Sequence, residues 1–593
     1  MAQFAKTGQT RLLGITSYAM HRIRLILWLI LTAVLPCSAI FGQDQDQPRI
    51  TVVHPGVEAL RADLLFLIGL TSKEEQEFGA DVDGALEDVS TGINIDKPVR
   101  IDMQSDSQPV NYLFWIPYAD QDDFLYNLDS LGWPPFQVPG VPNFYLIDDP
   151  FEQGWIRFLP EQNYAILALT TPENHEETKQ QVLAAGAPGP EVLRLQDLSA
   201  SILATLRNSR AGDESQVKRR ETFSRIRNDD IAAVQQRPAE SKSEFNLRKG
   251  RWSIFYDEME RAYIEALGIE FWSNLDRDKT TLSVSFDASA IAMTSLEESI
   301  AEFGQVPDAF AAIQPLAETV LSGRLNVSVD NLRKKNATEF LDLLSVDVNS
   351  RIDESTTLQD EEKQATRTIF DDVITLFRDG FASGNVNGFV EASHDGTEFT
   401  MVGAVSAPGS ARLTETLKQL PSARSGNMVD LNVSTADDIA IHKISLAEGF
   451  VALADQLFGV GREFFIGIGR DQVWLATGPG AEELMQSKIA EAQDAKMSEV
   501  LLSVEVRLAP WVNRLHELAD ESEIPQVVEE RAPWREKRAR LKQLSESVGG
   551  EDQLTMKVNS ADGKVSGRAQ VTQGLLRFVG RQIAKMAKEN LDI

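Results

Sequence analysis

The residues best suited to contact a ligand are aromatic, and they cluster between positions 113 and 136 of the 593-residue chain. That stretch reads LFWIPYADQDDFLYNLDSLGWPPF, and a further tryptophan follows shortly after it. Aromatic rings beside prolines suit the recognition of flat sugars or extended peptides. The alternative, which we favour, is that the rings pack a strand onto a helix and that GWPPF is a rigid loop. The ligand-binding candidates are Trp115, Tyr118, Trp133, Phe136 and Trp155.

Groups that catalyse reactions are present, but their spacing is not diagnostic. No histidine has another within one helical turn, so we predict neither a metal site nor a cofactor. The glycine-rich segment 459–472 lacks the third glycine of a dinucleotide-binding fingerprint, and it indicates a hairpin instead. The 89 Asp and Glu residues are too numerous to single out a general acid and base, so catalytic residues are unknown. We interpret five histidines as surface or satisfied core residues: His54, His175, His394, His442 and His516.

The chain is strongly acidic. It has 58 Lys and Arg against 89 Asp and Glu, a net charge of -31. Such a surface repels phosphate backbones and anionic lipid headgroups. We therefore expect no nucleic-acid partner.

The N-terminal segment has the pattern of an export signal. An apolar block, LILWLILTAV at 25–34, follows Arg22 and Arg24 and precedes small and polar residues. This order is typical of a secretory signal, and the block is shorter than the roughly 20 residues of a spanning helix. We interpret residues 1–42 as a signal peptide, with Met20 as the candidate true start. The mature protein is expected in the periplasm or outside the cell, touching a membrane only through this segment if it is not cleaved.

A weak internal repeat organises the rest of the chain. In each copy the pattern predicts a strand, a helix, a second strand, a hairpin and a second helix. The first copy runs over 112–185 and the second over 401–492. Turn residues at 160–163 and 469–472 separate the two apolar runs of each hairpin.

These elements predict an α+β fold with two divergent tandem copies of one module, an antiparallel sheet with helices packed on one face. The first module is expected over 43–305, with a helical insertion at about 214–272. The second is expected over 306–593, with a helical insertion at about 509–548. The second copy has no aromatic cluster corresponding to 113–136, so the architecture does not require one.

The mature chain is also free of cysteine, because the single cysteine, Cys37, lies in the signal. It therefore cannot form disulfides. In its export signal, acidic composition, cysteine usage and duplicated α+β unit, the chain resembles the large uncharacterised exported proteins of planctomycete-type bacteria. The resemblance concerns the style of the whole chain and includes no diagnostic motif, so it implies no activity and no site residue.

Together these features predict an exported, non-catalytic binding or structural protein of the bacterial cell envelope. Its expected partner is an unknown protein or a cell-wall glycan. The alternative is an exported hydrolase whose carboxylates converge only in the fold. A cleft with two coupled acids near 113–158 would favour the hydrolase, whereas buried tryptophans there would count against it.

Overall fold

Strand β3 (Asn111–Pro117) shows how the sequence builds the first sheet of this computed structural model. Leu113, Phe114 and Trp115 are consecutive and all buried, although successive strand side chains point to opposite faces. Both faces of the sheet must therefore be covered. The structure describes residues 49–104, 111–148, 153–170, 174–208, 213–238, 240–316, 318–446, 458, 463–492, 495–521, 528–548 and 552–590.

The described residues group into two units. Unit 1 comprises those within Met1–Ala211, Ile269–Val284 and Leu575–Ile593, and unit 2 comprises those within Gly212–Gly268 and Ser285–Gly574. Strands β9 and β10 each begin in one unit and end in the other; they are β9 (Ala266–Asp276) and β10 (Thr281–Ala290).

Unit 1 contains an antiparallel sheet with the strand order β4-β5-β6-β7-β3-β2-β1-β8. The hairpin predicted around 160–163 is confirmed, since Leu159 pairs with Tyr164 at its end. The remaining strands of this sheet are β1 (Arg49–His54), β2 (Val99–Gln104), β4 (Pro135–Gln137), β5 (Phe144–Asp148), β6 (Gln153–Leu159), β7 (Tyr164–Thr170) and β8 (Ile202–Arg207).

Helices cover both faces of this sheet, so the prediction of helices on one face is wrong for unit 1. Helices α1, α3 and α4 lie on the face of Phe114. Helices α5 and α6 pack on the other face, through Val182 near Trp115 and through Leu195 near Val53. Strands with apolar residues on both sides need this double cover. The helices are α1 (Val57–Gly69), α2 (Lys73–Gln76), α3 (Phe78–Val89), α4 (Gln121–Ser130), α5 (His175–Ala184), α6 (Glu191–Asp197) and, from residue 575 on, α17 (Gln573–Asn590).

Unit 2 contains a second antiparallel sheet, with the order β15-β16-β17-β18-β14-β13-β12-β20-β21-β22. The described part of the glycine-rich segment, from residue 463 on, belongs to the predicted hairpin, because Ile468 on β17 pairs with Val473 on β18. The strands are β11 (Pro307–Asp308), β12 (Thr319–Ser328), β13 (Asn385–His394), β14 (Phe399–Ser406), β15 (Met428–Ala436), β16 (Ile439–Ser445), β17 (Glu463–Ile468), β18 (Gln472–Thr477), β19 (Lys496–Met497), β20 (Val500–Arg507), β21 (Gln553–Ala561) and β22 (Lys564–Val571).

A core cluster of unit 2 joins its sheet to one helix. Trp474 and Phe389 from the sheet pack with Met485 of α14, and all three are buried. The helices of unit 2 are α7 (Asp213–Ala233), α8 (Lys242–Glu265), α9 (Ser295–Glu302), α10 (Asn331–Glu354), α11 (Asp360–Ala382), α12 (Leu413–Leu417), α13 (Leu420–Ala423), α14 (Ala481–Glu491), α15 (Leu508–Glu521) and α16 (Val528–Ser547).

The first helical insertion ends earlier than its predicted limit at residue 272. Helix α8 ends at Glu265, and strand β9 starts at the next residue. The β-prone residues Ile269, Phe271 and Trp272 lie on β9, which pairs with β10. A partner strand decides between helix and strand here, and a local pattern does not reveal it.

The predicted signal peptide at 1–42, with Cys37, lies outside the described residues. Among the described helices, none combines the length and the apolar character needed to cross a membrane.

Candidate functional site

The structure separates the five aromatic candidates. Trp115, Tyr118, Trp133 and Trp155 are buried, with at most 8% of their surface exposed, whereas Phe136 is 55% exposed. The candidates therefore do not form one continuous aromatic surface.

Trp115 and Trp155 belong to the core between the sheet and α5. Trp155 stacks on Phe144, with ring centroids 5.1 Å apart, and its indole N–H donates to the backbone oxygen of His175 at 2.9 Å. The indole N–H of Trp115 donates to the backbone oxygen of Gly186 at 3.0 Å. Both indoles thus have partners within the fold, and both function as packing residues.

Tyr118 also packs internally, edge-on to Phe158 with centroids 5.1 Å apart. Within 113–136, solvent reaches mainly the rings of Tyr126 on α4, which is 72% exposed, and Phe136 on β4. These two rings are the part of the stretch that is open to a large partner.

Trp133 borders an apolar cavity of about 160 Å³ on the other face of the unit 1 sheet. The cavity floor is a row of side chains that pair across four neighbouring strands. The row consists of Val52 on β1, Ile101 on β2, Phe114 on β3 and Leu167 on β7. Strand alternation explains the row, since these residues point away from the face that carries Trp115.

Helices α1, α3 and α4 form the other wall of the cavity, through Leu60, Leu86 and Leu128 among others. The side chain of Asp120 caps the start of α4 by accepting the backbone N–H groups of residues 122 and 123 at 2.9 and 3.0 Å. At the other end of α4, the backbone N–H of Trp133 donates to the oxygen of Leu128 at 2.9 Å. The chain thus turns back, and Trp133 reaches the cavity wall.

Besides the indole N–H of Trp133, the polar side chains in the described cavity lining are those of Asn127 and His54. The amide nitrogen of Asn127 donates to the backbone oxygens of Val89 at 3.1 Å and Thr91 at 3.0 Å. These bonds hold α4 against the end of α3. Both protons of the Asn127 amide are therefore used within the protein.

His54 ends strand β1 and is 6% exposed. Its Nδ1 accepts the backbone N–H of Gly56 at 3.2 Å. Burial, which disfavours the charged ring, lowers the pKa of His54 to about 4. His54 is therefore neutral at pH 7, and it lies in the core rather than at the surface.

The described lining residues include no carboxylate, hydroxyl or thiol. In the described part of the chain, no three His, Cys, Asp or Glu side chains come together as a metal site would require. The arrangement can enclose a small apolar group and offer it a polar contact at His54 or at the indole N–H of Trp133.

Sequence reasoning assigned Trp133 to a ligand-binding set but did not find the cavity. Its floor residues come from four strands that are distant in sequence, and His54 has no neighbouring motif. The available signal was the run from Leu113 to Ile116, where continuous apolar residues indicated that both faces are covered.

No family model and no curated protein matches the chain. Among solved structures, the chain is similar to the one described as "Structure of crystal form I of TP0453". The identity is 9% and the TM-score is 0.20, over 40% of this chain and 74% of that chain. A likeness at this TM-score supports no conclusion about fold or function.

Proposed function

We propose that this protein is an exported, non-catalytic binding protein of the bacterial cell envelope whose unit 1 cavity takes up a small apolar ligand. The observation that carries the proposal is the cavity of about 160 Å³ with its almost entirely hydrocarbon walls. Cavities of about 150 Å³ with aliphatic and aromatic walls stay dry and bind benzene-sized molecules. A ligand there regains the dispersion contacts that an empty cavity lacks.

The same region supports binding over the alternative of a hydrolase. Trp115, Trp133 and Trp155 are buried, and the described cavity lining contains no carboxylate that could act as an acid or base. A cell-wall glycan or a protein partner stays a prediction, and the exposed rings of Tyr126 and Phe136 are the contacts it would use.

The proposal includes two divergent copies of one module, and strand order supports it. The order β4-β5-β6-β7-β3-β2-β1-β8 of unit 1 corresponds strand by strand to β15-β16-β17-β18-β14-β13-β12-β20 of unit 2. In both units, helices connect the two strands that come before β3 or β14 in the chain. They join β1 to β2 in unit 1 and β12 to β13 in unit 2. The duplication is tested by superposing the eight strands of unit 1 on the eight corresponding strands of unit 2 in an experimental structure.

Export is tested on the full-length chain expressed in a bacterial host. Periplasmic or secreted protein whose N-terminal sequence begins at residue 43 is the expected result. Cytoplasmic protein that keeps its N-terminus would contradict export, and membrane-bound protein that keeps it would indicate a retained anchor.

Ligand uptake is tested by calorimetric titration of the full-length chain with methylenecyclohexane, an uncharged six-membered ring. We expect saturable binding and a higher melting temperature, because a ligand that binds the folded state stabilises it. Val52→Phe, at the β1 end of the cavity floor, should fill the space and abolish binding without lowering the melting temperature. Val217→Phe adds the same ring at a position that is 50% exposed and should leave binding unchanged.

A further inference from the structure

His54 carries its ring proton on the nitrogen that the fold does not use. Since Nδ1 accepts the N–H of Gly56 at 3.2 Å, the neutral ring has its proton on Nε2. Nε2 takes part in none of the hydrogen bonds found among the described residues, and His54 belongs to the cavity lining. The cavity wall therefore offers a buried N–H donor.

A water molecule is a poor partner for this donor. Buried waters typically make about three hydrogen bonds. Asn127, which also lines the cavity, already spends both amide protons on Val89 and Thr91. Most of the surrounding wall is hydrocarbon, so a water in contact with His54 would have few further partners, namely the side-chain oxygen of Asn127 and the indole N–H of Trp133.

The charge of the ligand follows from the same environment. His54 is neutral, and none of the described lining residues carries a cationic side chain. A carboxylate placed there would lose its hydration without a counter-ion, which is costly. An uncharged acceptor, such as a carbonyl or ether oxygen, needs only one donor, and the Nε2–H of His54 can supply it.

From these contacts we infer that the cavity selects a neutral, benzene-sized apolar molecule with one hydrogen-bond acceptor, which takes the Nε2–H of His54. This inference rests on the proposed function, because it names the ligand class of the same cavity.

The test compares two ligands of nearly the same shape. Cyclohexanone has a C=O group that accepts a hydrogen bond, whereas methylenecyclohexane has a C=CH₂ group in its place. Both are titrated into the full-length chain and into His54→Phe and His54→Asn. Each variant loses the hydrogen bond from His54 to the ketone oxygen. We therefore expect the ratio of the cyclohexanone affinity to the methylenecyclohexane affinity to fall about fivefold in either variant. Cyclohexanecarboxylate, titrated at pH 7, should bind at least tenfold more weakly than cyclohexanone.

The outcomes separate the two proposals. Methylenecyclohexane binding with an unchanged affinity ratio in both variants overturns the role of His54 and leaves the apolar cavity intact. Carboxylate binding as strong as that of the ketone overturns the selection of neutral ligands. If neither ring binds the unaltered chain, the proposed function itself is wrong. Methylenecyclohexane also reports whether each variant keeps its cavity, so a misfolded variant is recognised.

Discussion

The guanidinium of Arg100 lies against the indole of Trp115, with its central carbon 5.1 Å from the ring centroid. The two residues are direct partners across β2 and β3. A cation held on an aromatic face gains a favourable electrostatic contact when both groups are desolvated. This pairing is one reason why Trp115 is a core residue and not a sugar platform.

Removing the carboxylate of Asp102 should destabilise unit 1 strongly. Asp102 receives two hydrogen bonds from Arg100, at 2.8 and 3.0 Å, and both side chains are almost completely buried. Asp102→Ala removes one of the two carboxylates that pair with Arg100, the other being Glu191 at 2.8 Å, and we expect a loss of about 1.5–3 kcal/mol in the free energy of unfolding. Asp83→Ala breaks the more exposed pair with Arg61 and should cost no more than about 1 kcal/mol. Equal losses in chemical denaturation would contradict this account.

The crossing of α17 over α1 depends on the absence of a side chain at Gly580. A Cβ atom there would overlap the backbone oxygen of Leu67. We expect Gly580→Ala to lower the free energy of unfolding by about 1–3 kcal/mol through overpacking. Gly84, within α3, has open space at its Cβ position, so Gly84→Ala should raise stability by about 0.5–1 kcal/mol. A stabilising Gly580→Ala variant would contradict the close helix crossing.

Glu391 on β13 is a buried acid with incomplete pairing. Its nearest cation is Lys488, whose Nζ is 3.7 Å from the carboxylate, too far for a hydrogen bond. Burial is the main cause that raises the pKa of Glu391 above its ordinary value of 4.5. As pH rises above 4.5, the unfolded chain releases this proton first, so the folded state loses stability over that range.

Glu391→Gln should therefore gain stability relative to the unaltered protein as pH rises above about 4.5. Lys488→Met should instead cost about 3–5 kcal/mol at pH 7, since it removes the nearest cation of a buried carboxylate. Unfolding curves of the three proteins between pH 4 and pH 8 check both signs. A difference between Glu391→Gln and the unaltered protein that does not change with pH would contradict the titration of Glu391.

His54 has the opposite influence at acidic pH. Its pKa is about 4 in the folded protein and 6.5 when unperturbed, so the unfolded chain binds the proton first as pH falls. The folded state should lose about 3 kcal/mol from this group between pH 6.5 and pH 4. His54→Asn keeps an acceptor for the Gly56 N–H but does not titrate. The variant should show a smaller loss over this range, and a loss as large as that of the unaltered protein would rule out His54 as its source.

The fold class could be predicted because its evidence is local. Turn residues at 160–163 and 469–472 each separate two β-prone runs, and both hairpins are present. The helices on the second face of the unit 1 sheet were not predicted, because hairpins alone do not indicate whether both faces of a sheet are covered. The consecutive burial of Phe114 and Trp115 provides that information only once the sheet is assembled.

The site could not be predicted, because its geometry depends on the order of strands. Val52 and Leu167 share one cavity floor only because β1, β2, β3 and β7 are neighbours. His54 is a single histidine at a strand end, and its burial and its free N–H arise from the surrounding helices. Local spacing therefore carried no sign of either feature.

The most direct test of the central claim is a crystal of the full-length chain exposed to xenon gas, because xenon binds in dry apolar cavities of this size. We expect a xenon atom between Val52, Phe114 and Trp133, and none in Val52→Phe crystals treated in the same way. A cavity that is closed, or filled with ordered water instead of xenon, would contradict the account.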